Sequence, residues 1–271
     1  MSGIYTFFGV DHKCGTSMLC QSVAELIANE MPNWKILVIH TEGAPGTDYA
    51  SGTRESMERI RPELAEGLID VRDIMARAQW HDNLYLISGA DPLEGDGKYH
   101  PNVSDHLLRN LKGFFDLILC DSGSQIDHGL ALGSLFASDG ILLVMIQAES
   151  AVRRFERLIP LYHKLNVATL GCLINRYQDK NPYTLSYLRE RLDQFSGDFY
   201  TVGESSLGLL AEAEGKALIH YKDKAFGKDV RSTANLILDD IGVAPIGERV
   251  KNSWNLLKFR NISKIESWKT K

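Results

Sequence analysis

The sequence is poor in cysteine. Its four residues, Cys14, Cys20, Cys120 and Cys172, never fall at the C-x-x-C spacing of a zinc or redox site. Two of them end apolar runs or lie inside them, where a free thiol behaves as a small hydrophobe. No stretch approaches the ~20 apolar residues of a membrane-spanning helix. The opening apolar run is too short for a secretory signal and lacks its basic flank, so a cytoplasmic location with reduced thiols is expected. A net positive charge is also absent: 30 Lys and Arg stand against 35 Asp and Glu. A net charge of −5 argues against a nucleic-acid footprint over the whole surface, although a local basic patch is compatible with it. We find no internal repeat and no linker that divides the chain.

What is present is an ordinary globular composition, with 44% hydrophobic and 24% charged residues over 271 positions. That is enough chain for one sizeable α/β domain with a buried core. Apolar runs alternate with helical patterns along it. Strands are expected at 4–8, 35–40, 83–88, 114–121, 141–146, 168–175 and 199–202. Helices are expected at 18–29, 54–64, 70–79, 103–111, 151–165 (Ser150 as its N-cap), 183–195, 205–213 (ended by Gly215) and 222–241. About seven strands alternating with helices predict a mostly parallel, doubly wound sheet with helices on both faces. The stretch from Gly89 to Pro101 is polar and rich in Gly and Pro. It reads either as a surface loop or as part of a binding edge.

The chain is organised around Gly9-Val10-Asp11-His12-Lys13-Cys14-Gly15-Thr16-Ser17. A buried strand precedes this turn and a helix follows it, which is the layout of a phosphate-binding loop. Backbone N–H groups and the helix dipole both favour an anion there. A regular P-loop reads G-x-x-x-x-G-K-[ST]. With Gly15 as the last glycine, Thr16 holds the lysine position, Ser17 the metal-side hydroxyl, and Val10 replaces the first glycine. Lys13, or a protonated His12, is then the nearby cation for a phosphate. Taken alone, Cys14-Gly15-Thr16-Ser17 also suits an ordinary glycine turn.

Asp121 ends the apolar run 117–120 and is followed by small residues. In a doubly wound sheet, ligands gather beyond the carboxyl ends of the strands. An Asp there can hold Mg²⁺ or orient water, or it can simply cap the next turn. Asn175 and Arg176 end a later strand. The Asn175 amide can pair with a purine edge or form an Asx turn. His40 ends the second strand, and Glu42 and Asp48 read as residues of a solvated loop that contains Gly43, Pro45 and Gly46.

The order of glycine loop and helix, strand ending in Asp121, strand ending in Asn175, and the segment 205–215 resembles the ParA/MinD superfamily of deviant P-loop ATPases. The resemblance covers roughly residues 1–240. It implies bound ATP and Mg²⁺, an aspartate (Asp121) working at the metal, and an asparagine (Asn175) contacting adenine. It also implies a dimer that sandwiches nucleotide. On that basis the cofactor-binding set is Asp11, His12, Lys13, Cys14, Gly15, Thr16, Ser17, Asn175 and Arg176. The metal set is Ser17 and Asp121, and Asp121 is the candidate catalytic group.

The family's signature lysine falls at Asp11 here. Loss of the P-loop lysine with a retained hydroxyl looks like the TadZ/CpaE branch, which acts in assembling Flp-type (Tad) pili, although that branch usually keeps the signature lysine. Removing one such electrostatic group costs ~10²–10³ in rate. The implied protein is therefore an ATP-binding switch, slow or inactive in hydrolysis, that dimerises and positions a pilus or secretion machine. The alternative is a non-catalytic scaffold that uses the fold for protein contacts. An iron–sulfur carrier of the superfamily is disfavoured by the unpaired cysteines.

Residues 1–244 read as the nucleotide-binding domain and 245–271 as a basic tail. From Glu248 to Lys271 the tail carries seven Lys or Arg against two Glu. Val250, Trp254, Leu257, Ile265 and Trp268 fall near one helical stripe. Basic residues with Trp suit a helix lying on an anionic membrane, as MinD-type proteins use theirs. Leu256, Phe259 and Ile262 sit off the stripe, which favours packing on a protein surface or disorder instead.

Overall fold

The computed structural model describes residues 2–42, 49, 55–66, 68–89, 99–166 and 168–247. The expectations placed on 43–48, on most of 89–101 and on the tail from 248 onward fall outside those residues.

Among the described residues, eight strands form one sheet: β1 (Gly3–Gly9), β2 (Ile36–His40), β3 (Gln79–His81), β4 (Leu84–Ile87), β5 (Leu117–Asp121), β6 (Gly140–Ile146), β7 (Thr169–Tyr177) and β8 (Phe199–Gly203). Their order is β3-β4-β2-β5-β1-β6-β7-β8. All neighbours are parallel except β3 and β4. The expected doubly wound parallel sheet is what the chain adopts, with one strand more than the periodicity suggested. β3 escaped it because three residues, partly exposed and at the end of a helical pattern, carry no readable alternation.

The central strands β1, β2 and β5 are buried along their whole length, which is why each reads as an unbroken apolar run. The period of two then divides each strand between two layers. Tyr5 and Phe7 of β1 pack towards α1 (Thr16–Glu30) and α9 (Lys224–Asp240). On the opposite face, Ile4 joins the layer built on α2 (Met57–Glu66), α3 (Val71–Ala78) and α4 (Pro101–Leu111). Phe8 joins the layer of α6 (Glu149–Leu165) and α7 (Leu185–Arg191). Each fully buried Phe or Leu contributes on the order of 1.5–3 kcal/mol. α8 (Gly208–Ala213) ends at Glu214, just before Gly215, whose φ of 60° turns the chain as its place in the sequence predicted.

One helix had no sequence signal. α5 (Gly129–Ala137) holds two glycines and a serine, a composition that disfavours helix in isolation. Packing explains it: a Cβ on Gly133 would lie 1.9 Å from the Pro101 carbonyl oxygen, so the glycine lets α5 close onto α4. The start of α6 also differs. The helix begins at Glu149 after an extended Ala148, with no side-chain cap, so Ser150 lies inside its first turn.

Candidate functional site

The turn between β1 and α1 is shaped by two left-handed residues, Lys13 at φ 56° and Gly15 at φ 82°. For a lysine that conformation is strained, which is common where a loop is held ready for a ligand. Within the turn, the Asp11 carboxylate accepts from the His12 N–H at 2.9 Å. The Cys14 thiol donates to the Asp11 carbonyl at 2.7 Å. Burial is the main cause that pushes this thiol up to about 11, so at neutral pH it stays protonated and acts as a brace. No side chain caps α1 and no acidic residue sits in its first turn. That leaves the positive end of the helix open to an outside anion.

Asn175, at the end of β7 and almost fully buried, holds the turn from the side. Its amide nitrogen donates to the Cys14 carbonyl at 2.7 Å. A Cβ on Gly15 would come 2.4 Å from that nitrogen. One of the amide's two N–H groups is thus committed to the loop. Through that bond Asn175 braces the loop. Arg176, the next residue, is exposed at φ 52°. Together with Arg154 of α6 it places positive charge near Cys14.

A second set of contacts links the turn to the loop after β5. His12 Nδ1 lies 2.9 Å from Ser124 Oγ. Arg154 donates to the Ser124 carbonyl at 2.6 Å and lies 3.7 Å from the Asp11 carboxylate. Lys13 is exposed, and Ser17 is half-buried in the first turn of α1. Thr16, expected from the sequence to stand at the P-loop lysine position, is buried, and its hydroxyl lies against the Gly9 backbone: a Cβ on Gly9 would meet it at 2.7 Å.

Asp121, at the end of β5, is fully buried. Register pairs it with His40 at the end of β2, and His40 Nδ1 sits 3.1 Å from Asp121 Oδ2. Burial works against the imidazolium. The Asp121 carboxylate, with Glu42 behind it, outweighs burial and holds His40 above its usual range. Glu42 does not behave as the solvated loop residue expected from sequence. Half-buried, it turns in towards Asp121, and burial first, then the Asp121 charge, push its carboxyl up to about 7 while His40 opposes the rise. Gly123, at φ 56°, makes room for it.

Buried hydroxyls hold these pieces in place. Ser122 Oγ lies 2.7 Å from both Thr41 Oγ1 and Ser134 Oγ, and the Thr41 N–H donates to the Asp121 carbonyl at 2.8 Å. His40 and Glu42 are the site residues that sequence reading left aside. The available signal was an apolar strand ending in an ionisable residue, with a carboxylate two positions on.

The glycine turn, the strand ending in Asp121 and the strand order define the fold of ParA/MinD P-loop NTPases. A ParA family ATPase from Chlorobium tepidum TLS superposes with a TM-score of 0.75 at 17% identity, over 86% of this chain and 97% of the other. The septum site-determining protein MinD of Pyrococcus horikoshii OT3, solved with Mg-ADP, gives 0.71 at 17%, over 89% and 99%. A putative plasmid partition protein of Borrelia burgdorferi B31, bound to AMPPNP, gives 0.67 at 21%, over 88% and 99%. No protein-family model matches the chain. No curated protein matches it in sequence.

Proposed function

We propose that this chain is a nucleotide-dependent switch of the ParA/MinD kind that binds ATP with Mg²⁺ and hydrolyses it slowly or not at all. The observation that carries the reading is the uncapped start of α1 behind a strained glycine turn, next to the strand that ends in buried Asp121. Solved proteins of the same fold carry Mg-ADP and AMPPNP at 17% and 21% identity, which is compatible with the reading.

Ser17 and Asp121 would hold Mg²⁺, which would supply charge compensation to the phosphate oxygens. The N–H groups of residues 12–17 cradle the α- and β-phosphates. Lys13 stands nearest to the role of the lysine that Thr16 replaces, and Arg154 and Arg176 add positive charge around Cys14. With that lysine absent, ATP acts mainly to favour a homodimer. The work of the dimer is to position a Flp/Tad-type pilus or secretion machine, with the basic tail from 245 as a contact to protein or to the inner membrane face. We place it in the cytoplasm and assign it no nucleic-acid partner.

A second reading, a scaffold that binds no nucleotide, is favoured by Thr16, whose hydroxyl lies against Gly9 rather than lending a charge to the loop. Calorimetric titration of ATP–Mg²⁺ separates the two, with Ser17→Ala and Asp121→Ala as controls. Binding that weakens in both variants supports the switch. No heat up to millimolar ATP from the folded wild type supports the scaffold.

A further inference from the structure

α8 presents apolar side chains that the described residues leave uncovered. Leu209 is 82% exposed and Leu210 46%, and Ala213, one turn on, is exposed as well. Among the exposed large hydrophobics of the described residues, these two leucines are the adjacent pair. A single exposed leucine is ordinary, but two side by side keep apolar surface in water that a partner would remove. The rim is acidic. From Glu204 to Glu214 there are three carboxylates and no Lys or Arg, and Glu212 is exposed near the end of the helix. A segment that is apolar at its centre and basic around it fits this surface.

The course of the chain after α9 indicates which segment that is. The backbone doubles back along the helix it has just left. The Val243 N–H donates to the Leu238 carbonyl at 2.7 Å. Ile246 exchanges hydrogen bonds with the Asn235 side-chain amide, its own N–H donating at 2.7 Å. Gly247 lies against Arg231, where a Cβ would come 3.3 Å from Arg231 Cδ. Each step is nearer the start of α9. Asn235 and Arg231 share one face of the helix, and the next position on that face is Gly227. Gly227 faces Ile219 of the 3₁₀ turn Leu218–His220, which packs on α8. The chain at Gly247 therefore runs towards α8.

The sequence that follows has the required chemistry. Residues 248–271 lie outside the described residues, and they carry seven Lys or Arg against two Glu. Trp254, Leu256, Leu257 and Phe259 stand among Lys251, Lys258 and Arg260. The seven residues from Gly247 to Trp254 reach up to ~23 Å. Passing from Arg231 to Gly227 uses about 6 Å of that, and the remainder exceeds a helix diameter of about 10–12 Å.

We propose that Leu209 and Leu210 of α8, with Glu212 beside them, are the docking surface for this chain's own segment Trp254–Phe259. The proposal goes beyond the nucleotide reading and is independent of it, since neither the glycine turn nor Asp121 takes part.

The test is hydrogen exchange of the full chain, read by mass spectrometry without nucleotide or lipid. In wild type, the amides of 250–262 are expected to exchange slowly, at a rate independent of protein concentration. Leu209→Asp combined with Leu210→Asp should speed that exchange about tenfold or more. Trp254→Asp combined with Leu257→Asp should speed exchange in α8. Glu212→Lys and added salt should each give a smaller increase at 250–262. Leu68→Asp, an exposed leucine beyond α2 on the other face of the sheet, should leave 250–262 as in wild type. Rapid exchange of 250–262 in wild type would overturn the proposal, as would protection that survives both paired variants. Protection that grows with protein concentration would assign the segment to a second copy instead. Protection that appears only with phosphatidylglycerol vesicles would assign it to a membrane, and either result sinks docking within one chain. Should the leucine variant fail to fold, the Trp254 and Leu257 variant, which leaves residues 1–247 unchanged, decides alone. ATP–Mg²⁺ titration reads the nucleotide site separately, so either reading can fail without the other.

Discussion

Gly123 and Glu42 compete for the same space. A Cβ on Gly123 would lie 2.1 Å from Glu42 Oε2, and Gly123 holds a left-handed φ of 56°. The loop after β5 is thus shaped to admit a carboxylate from the loop after β2. Gly123→Ala is expected to destabilise the fold by about 1–3 kcal/mol from backbone strain and crowding. Adding Glu42→Ala should return part of that loss, because the clash disappears while the strain remains. Chemical denaturation of the two single variants and the double variant measures the coupling. Strict additivity would mean that the two residues do not meet.

The cluster also makes stability depend on pH. Glu42 is raised from 4.5 to about 7, and His40 is raised as well, so the folded chain holds protons there that the unfolded chain releases. Stability then falls as pH rises from the ordinary Glu range through about 7, and falls further as His40 loses its proton. Melting temperatures in EDTA should decline between roughly pH 5 and 8. Glu42→Gln should flatten the lower part of that slope. A melting temperature that climbs across the interval in wild type but not in Glu42→Gln would reverse the sign assigned here.

Asn175 braces the glycine turn through Cys14 at 2.7 Å. Asn175→Ala is expected to cost about 1–2 kcal/mol, leaving a buried carbonyl without its donor. ATP affinity should drop with it if the turn binds phosphate, because the loop loses its preset shape. Asn175→Asp should be worse, since a carboxylate faces the Cys14 carbonyl. Unfolding curves and calorimetry of the three proteins check the order wild type, Ala, Asp.

On the proposed nucleotide reading, Thr16 stands where a regular P-loop carries its lysine. Thr16→Lys is expected to raise ATP–Mg²⁺ affinity, and to raise turnover by as much as ~10²-fold if the remaining machinery is competent. Phosphate-release assays and titrations read the two effects apart. Tighter binding without turnover would locate the block beyond the lysine, at Asp121 and its neighbours. No change in either would argue that the turn does not meet phosphate.

The sequence by itself determined the layered sheet. β1, β2, β5 and β6 are apolar at nearly every position, and only a parallel sheet covered on both faces buries such strands. It also marked the glycine turn, Asp121 and Asn175, because strand-end positions in this architecture lie where ligands gather. What it could not decide is which strand ends become neighbours. β2 and β5 are far apart in sequence, yet the sheet order sets His40 beside Asp121 and brings Glu42 in over Gly123. α5 likewise became a helix through its fit against α4, which its own residues do not encode. Local periodicity reports how a segment buries itself. The charge of a buried group and the partner of an amide depend on neighbours that only the closed sheet supplies.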